Sequence, residues 1–428
     1  MKQRWLKRII MTKIINSVSF LQLTGICRVI SFLLIISMII VGCGGAGDND
    51  NSSNAGTNAA ALSANQGDDN SLSDNDTSEN DNSNSVSEDN LEKSNAAAAS
   101  NAPALYQESD WVTFLLLCNE GMNNTGSNVG NTLMAVSMNP ETGKIRLMML
   151  TWDTFVNYEG YDIPQLIDMA YRNGGPEEAV KVFDGNFETH IDRFMSLNFL
   201  NLATLIDDYG GVKIDVTRAE RNAINGMVAS KRRDLQARAG ENLISQHVMD
   251  MLEQEYHLTE FGPETQLNGL QAVSYGWLQY DSVYNCCERD IEVVAALFQK
   301  VSEKINEEAV FYTEKGGLPD KNDHRRFINL DNITDQDREF LIEILSPITN
   351  TSFNNLTKEE FSDMALTFAR SAYLASREGV DIFDNLENAI FPLEAEDSYD
   401  IVAGIEGHLI DYDKNSKEMK NFLYNDTN

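Results

Sequence analysis

The stretch Leu133-Met134-Ala135-Val136-Ser137-Met138-Asn139-Pro140-Glu141-Thr142-Gly143-Lys144-Ile145-Arg146-Leu147-Met148-Met149-Leu150 decides the fold class. Two apolar runs, Leu133 to Met138 and Ile145 to Leu150, flank a segment that cannot continue either of them. Pro140 fixes its own φ and Gly143 supplies a left-handed position, so the segment is a turn and the runs form a hairpin. Upstream, Trp111 to Leu117 reads as a further strand.

Working outward, helical and extended patterns alternate. Ile163 to Tyr171 predicts a short helix ended near Gly174-Gly175, and Pro176 opens a second helix through Phe187, since proline suits a first helical turn. Arg193 to Leu197 is extended, Asn201 to Tyr209 helical up to Gly210-Gly211, and Val212 to Val216 extended again. Such alternation argues for an α/β sandwich. Residues 217–266 read as a polar, helix-rich insertion outside the core. Leu267 to Trp277 and Glu288 to Ile305 have helical periodicity, the latter with Ile291, Val294, Ala295, Phe298 and Val301 on one face. The core thus spans about 111–305. An extension, 306–428, adds helices at Asp335 to Leu345 and Lys358 to Ala375, a β-like region at Tyr399 to Ile410 and a closing helix from Asn415 to Tyr424.

The first hundred residues are of another kind. Residues 1–42 carry Lys2, Arg4, Lys7, Arg8, Lys13 and Arg28 without an acid, and the apolar run Val29 to Val41 follows. The run is shorter than the roughly 20 residues of a spanning helix. It has the length of a signal-peptide core behind a basic flank. It closes on Ile40-Val41-Gly42-Cys43, which resembles the lipobox of bacterial lipoproteins and makes Cys43 a lipidation site and a lipid anchor to the membrane. An uncleaved signal anchor is the alternative. Either way the remainder, 104–428 with its tether, lies outside the cytoplasmic membrane. Residues 43–103 are Asn, Ser, Asp, Ala and Gly, with too little apolar surface to offset ordering entropy, and read as an acidic flexible tether.

The whole chain carries −33, and the leader contributes the six positive charges named above. The exported part is therefore more acidic still, which excludes nucleic acid as a partner, because that needs a basic stripe. Of five cysteines, Cys118, Cys286 and Cys287 belong to the folded part. Cys118 would pair with one of the vicinal two if they meet; buried free thiols are the alternative. No nucleotide loop, Ser-His-Asp spacing or zinc motif is present, and the glycines of Gly121 to Gly130 lack phosphate-loop spacing.

Several segments in order carry a resemblance. They are Leu115-Leu116-Leu117-Cys118-Asn119-Glu120, Asn131 to Pro140, Ile145 to Thr154, Ala170-Tyr171 before Gly174-Gly175-Pro176-Glu177, Ile206-Asp207-Asp208-Tyr209-Gly210-Gly211-Val212, and Leu267 to Tyr275 leading into Arg289. Together they resemble the LytR–CpsA–Psr domain. The resemblance implies an α-β-α sandwich around a mixed central sheet, with an apolar lipid-binding groove. It also implies transfer of a glycopolymer from a polyprenyl-pyrophosphate carrier to peptidoglycan or another wall acceptor, assisted by Mg2+.

That chemistry needs arginines around a diphosphate, because guanidinium binds phosphate bidentately with a permanent charge. Here most are replaced. Glu120 and Asn131 stand at the implied metal positions, the latter without a carboxylate. The family's Pro-Arg-Asp is Thr151-Trp152-Asp153, its paired arginines are Trp277 and Gln279, and its downstream Arg-x-x-Arg-Gln ends here in Arg289-Asp290. The resemblance therefore leaves Arg289 and Asp153 as the catalytic candidates, with Trp152, Trp277, Gln279 and Asp290 lining a ligand site. Each has a plainer reading: core packing for the tryptophans, a surface salt bridge for Arg289, a turn cap for Asp153. A lost charged hydrogen bond removes roughly 1.5–3 kcal/mol, so several lost arginines would remove most head-group affinity. Two functions remain open: a transferase with reduced or lost catalysis, and a non-catalytic lipid- or polymer-binding envelope scaffold.

Overall fold

The computed structural model describes residues 111–119, 130–238, 253, 256–279, 281–378, 385–393 and 399–424. The leader, the tether, Cys43 and Glu120 lie outside the described residues, as does the side chain of Asn131.

Strand β1 (Val112–Asn119) is buried along its whole length. It pairs antiparallel with β2 (Gly130–Met138), which pairs antiparallel with β3 (Ile145–Leu150). The predicted turn joins them: the Asn139 carboxamide oxygen accepts from the amides of Glu141 and Thr142 at 2.9 and 2.8 Å, and Gly143 has φ +73°. On the other side of β1, β6 (Phe194–Asn198) runs parallel. The six-stranded sheet has the order β11-β6-β1-β2-β3-β12, with β11 (Phe353–Asn354) antiparallel to β6 and β12 (Leu386–Phe391) parallel to β3. It is the mixed central sheet of an α/β sandwich.

Side-chain alternation divides the core in two, because successive strand residues face opposite sides. Phe114, Leu116, Met134, Val136, Leu147 and Met149 face one cluster. It is completed by helices α2 (Phe199–Asp208), α4 (Gly269–Gly276), α5 (Val283–Glu308) and α8 (Lys358–Glu378). Leu115, Leu117, Leu133, Ala135, Met148 and Leu150 face the other, closed by α1 (Asp168–Phe187) and α9 (Tyr412–Tyr424). Sheet faces covered on both sides read as continuous apolar runs, which is why β1 and β3 show no polar alternation.

Caps fix the helices beside the sheet. The Asn198 side chain accepts from the Asn201 amide at 2.8 Å to open α2, and Asn268 with Gln271 forms a reciprocal capping box on α4. Gly210 and Gly211, at φ +84° and +80°, end α2 and turn the chain into β7 (Val212–Val216).

Four expectations change. Helix α1 begins at Asp168 rather than Ile163, because the residue before Pro164 is held out of the α region. Gln165–Leu166 instead forms a strand, β5, on β4 (Phe155–Val156). The predicted break at Gly175 is present, with φ 74° and ψ −161°. Residues 217–266 are not outside the core: α3 (Arg218–Arg238) buries Ile224, Val228 and Leu235 in the larger cluster, and β8 (Gly262–Leu267) pairs with β7. Finally, 306–428 is no appendage, since it supplies β11, β12, α8 and α9. It also holds smaller elements: β9 (Ala309–Tyr312), β10 (Arg326–Asn329), α6 (Asp335–Ile344), α7 (Ser346–Thr351) and the hairpin β13 (Tyr399–Val402) and β14 (Ile405–His408).

Helix α4 packs on α2 through Gly269, where a Cβ would come within 1.9 Å of the Ala203 carbonyl oxygen. Backbone cannot yield as a side-chain tip can. Gly269→Ala is expected to lower unfolding stability by about 3 kcal/mol, read from urea denaturation.

Candidate functional site

The first two turns of α5 carry the side chains on which the candidate site depends. Ser282 caps the helix, accepting from the Asn285 amide at 3.1 Å. From there Asp290 reaches Thr132 on β2, Tyr284 the Pro392 carbonyl, Cys286 the Gly276 carbonyl and Arg289 the link back to α4.

Arg289 is buried at 4% exposure, which overturns the surface salt bridge. Its guanidinium donates to both carboxylate oxygens of Asp281, at 2.9 and 2.8 Å, and to the carbonyl of Leu278. Burial acts to raise the Asp281 pKa, but the hydrogen bonds and charge of Arg289 outweigh it and hold the carboxyl below its ordinary value. The arginine thus clamps the link between α4 and α5.

Asp290 accepts from the Thr132 hydroxyl at 2.8 Å. It packs so closely on α4 that a Cβ on Gly276 would meet its Oδ1 at 2.6 Å. Burial pushes its pKa up to about 8, against the Thr132 hydrogen bond and the Arg289 charge, so the side chain is largely neutral at pH 7. Cys118, Cys286 and Cys287 are buried free thiols, and desolvation followed by the nearby Asp290 raises all three.

Asp153 does not cap its turn. Its Oδ1 is buried without a hydrogen-bond partner, and Oδ2 lies 3.8 Å from His408 Nε2. The backbone completes the contact: the His408 amide donates to the Asp153 carbonyl at 2.8 Å. The His408 ring meets Tyr284 and Tyr399 edge-on, with centroids 5.8 and 5.2 Å away. Asp168, on α1, has its pKa raised by burial and, more weakly, by Asp153, while Arg172 pairs with it at 2.7 Å. His408 gave no signal in the sequence, because it arrives from the far end of the chain.

Trp152 is half-buried, and its indole Nε1 is buried without a partner. Trp277 is buried against Phe199, with centroids 5.1 Å apart. Gln279 is exposed. Lys231, from the stretch read as an insertion, sets its ammonium 5.2 Å from the Phe199 ring and 5.7 Å from that of Trp277. Sequence separation hides this cation, although a lysine on an apolar helix face was its available signal.

Among the described residues, no group of three or more His, Cys, Asp or Glu side chains is arranged to hold a metal ion. The implied metal positions, Glu120 and the side chain of Asn131, lie outside the described residues.

The fold defines a class, an α/β sandwich with a doubly covered mixed sheet. The LytR_cpsA_psr family model matches residues 69–309, more than half of the chain, and the chain belongs to that family. It is 30% identical over 123 residues to a protein of Oceanobacillus iheyensis named polyisoprenyl-teichoic acid–peptidoglycan teichoic acid transferase TagU, covering 27% of this chain and 37% of that one. To TagV of Bacillus subtilis it is 25% identical over 88 residues, covering 20% and 22%. The chain thus spans well under two thirds of either relative. Among solved structures, B. subtilis TagV is similar with TM-score 0.48 and 13% identity, over 74% of this chain and 98% of that one. The family protein YwtF (TagT) with bound octaprenyl pyrophosphate lipid has TM-score 0.43 and 14% identity, over 74% and 91%.

The pH dependence of stability tests Asp290. Unfolded, its carboxyl loses its proton near pH 4; folded, it keeps it to about 8. Between these values the folded state binds the extra proton, so this contribution is full below the lower value and is lost as pH rises to the upper. Urea unfolding of the wild type should weaken from pH 5 to pH 8 by at most about 1.4 kcal/mol per unit from this group, and Asp290→Asn should flatten that fall.

Proposed function

We propose that the protein binds a polyprenyl-linked wall glycopolymer at the extracytoplasmic face of the cell membrane, anchored through Cys43, and that the family's transfer step is reduced or lost. Family membership supports the ligand class. The observation that carries the loss is the state of Arg289. It is the one arginine retained from the implied diphosphate cluster, and it is committed to Asp281 and the Leu278 carbonyl. Turning it toward a diphosphate would break three charge-assisted hydrogen bonds, each contributing roughly 1.5–3 kcal/mol. Nor does Asp153 face a cation permanently charged like the arginine it would follow in the family pattern: its neighbour is His408. With the arginines gone, charge developing on a transferred phosphoryl group would lack the electrostatic stabilisation such reactions depend on.

Lys231 favours a second reading. A cation beside Trp277, at an implied arginine position, would retain some hold on an anionic head group.

Mass spectrometry of lipids bound to the full-length protein in detergent separates the two, together with transfer to peptidoglycan from a polyprenyl-pyrophosphate-linked polymer. The binding reading expects a polyprenyl-linked lipid retained equally by wild type and Arg289→Ala, with transfer at background. Transfer that falls about 100-fold in Arg289→Ala, or in Lys231→Ala, would overturn it and establish a working transferase. Absence of any polyprenyl lipid would sink both readings.

A further inference from the structure

Helix α3 is a basic element in an acidic chain. It carries six Lys or Arg against two acids, Glu220 and Asp234, where the whole chain has 33 against 66. At 3.6 residues per turn, Arg218, Arg221, Asn225 and Arg232 fall within about 60° of one another around the helix, and Glu220 and Asp234 point to the far side. Glu220 is also occupied at the helix start, where its carboxylate accepts from the Thr217 amide at 2.7 Å.

The segment 256–261 runs antiparallel along that face. The Asn225 carboxamide grips one residue of it twice, donating to the Leu258 carbonyl at 2.9 Å and accepting from the Leu258 amide at 2.8 Å. Arg221 donates to the Thr259 carbonyl at 3.1 Å. The arginines stack on the segment's rings: Arg232 lies 3.5 Å over Tyr256, while Arg218 and Arg221 lie 5.2 and 5.0 Å over Phe261. Both rings are exposed, at 37% and 44%. The result is a ridge of guanidinium and aromatic surface about 20 Å long, from Arg218 to Arg232.

Each kind of surface selects one part of a ligand. A guanidinium stacked on a ring keeps its N–H edge available, and that edge binds a phosphate or carboxylate in two places. The aromatic surface left open beside it packs against the C–H face of a sugar. A chain of sugars bearing spaced anions meets both demands. The position of the ridge supplies the occupant. Lys231, on a neighbouring face of α3, stands by Phe199 and Trp277, and Trp277 occupies an implied arginine position. A polymer whose carrier end is held there would emerge beside Arg232, where the ridge begins. We infer that the α3 ridge is the binding track for the glycan chain of an anionic glycopolymer. The inference rests on the glycopolymer reading above and adds to it a surface away from the diphosphate position. Glu260 is the acid within the segment, and its charge opposes such a ligand.

The test is isothermal titration calorimetry of the full-length protein in detergent with three chains: phosphorylated dextran, neutral dextran and inorganic polyphosphate. Phosphorylated dextran should bind about ten-fold more tightly than either of the others, because it alone offers both sugar and anion. Arg218→Gln and Phe261→Ala should each weaken it about five-fold, and Glu260→Gln should tighten it about two-fold. Arg218→Lys, which keeps the charge but not the planar stack, should fall between wild type and Arg218→Gln. Lys358→Ala, which removes an exposed cation from α8, should leave binding unchanged. Polyphosphate or a poly-dT strand binding as tightly as phosphorylated dextran would overturn the inference. So would no binding, or binding indifferent to Arg218→Gln and Phe261→Ala. Mass spectrometry of bound lipid scores the underlying reading separately. Polyprenyl lipid recovered without phosphorylated-dextran binding overturns the ridge alone, and binding without polyprenyl lipid keeps the ridge and sinks the lipid carrier.

Discussion

The structure depends on one constraint: β1 must be covered on both faces. All eight of its residues are buried, and its apolar ones from Phe114 to Cys118 alternate between two apolar clusters. A strand in that position cannot tolerate an open side, so helices must arrive on both. On one side they come from the middle of the chain. On the other, α1 is joined only by α9, the last element described, and the Leu423 carbonyl there accepts from Ser137 and Arg146 at 3.2 Å each. Arg146 is itself 3% exposed, lies 4.3 Å over the Trp111 ring, and pairs with Glu387 of β12. Early strands are thus tied to the final forty residues by a buried cation.

That tie explains what the sequence could convey and what it could not. The hairpin was legible because Pro140 and Gly143 act locally, on their own backbone. The α5 stripe was legible because helical periodicity is local too. Strand β12 was not. Leu386-Glu387-Asn388-Ala389-Ile390-Phe391 lacks alternation and β-branched density, and its place against β3 comes from partners some 240 residues away. The polarity of 217–266 misled for a related reason. Helix α3 has many charged residues, yet Ile224, Val228 and Leu235 suffice to seat one narrow face in the core.

At the candidate site the loss is sharper. The family pattern pointed to the start of α5 and to strand ends, but residue type alone could not tell whether Arg289 faces a ligand or a neighbour. Its partner Asp281 is eight positions away, across the cap of α5, a distance no helical i,i+4 rule anticipates. Burial also changes the character of Asp290. In the sequence it is one more acid in an acidic chain; beneath Gly276 and beside Thr132 it is a largely neutral hydrogen-bonding group. Excess negative charge in composition therefore overstates the negative charge at this site.

The C-terminal segment links the site to the surface. Tyr284, on α5, donates to the Pro392 carbonyl at 2.8 Å, and its ring faces His408. His408 in turn holds Asp153 through its backbone amide. The strand that completes the sheet, the residue that contacts the retained family acid and the exposed hairpin are therefore consecutive parts of one stretch. Its position is set by sheet pairing on one side and by Asp153 on the other. Close packing leaves little slack between such contacts. A displacement of the hairpin base would have to move His408 relative to Asp153, and a change at Asp153 would be felt first at the hairpin. Asp153 thus serves as a fixed structural contact between the end of β3 and the base of the hairpin.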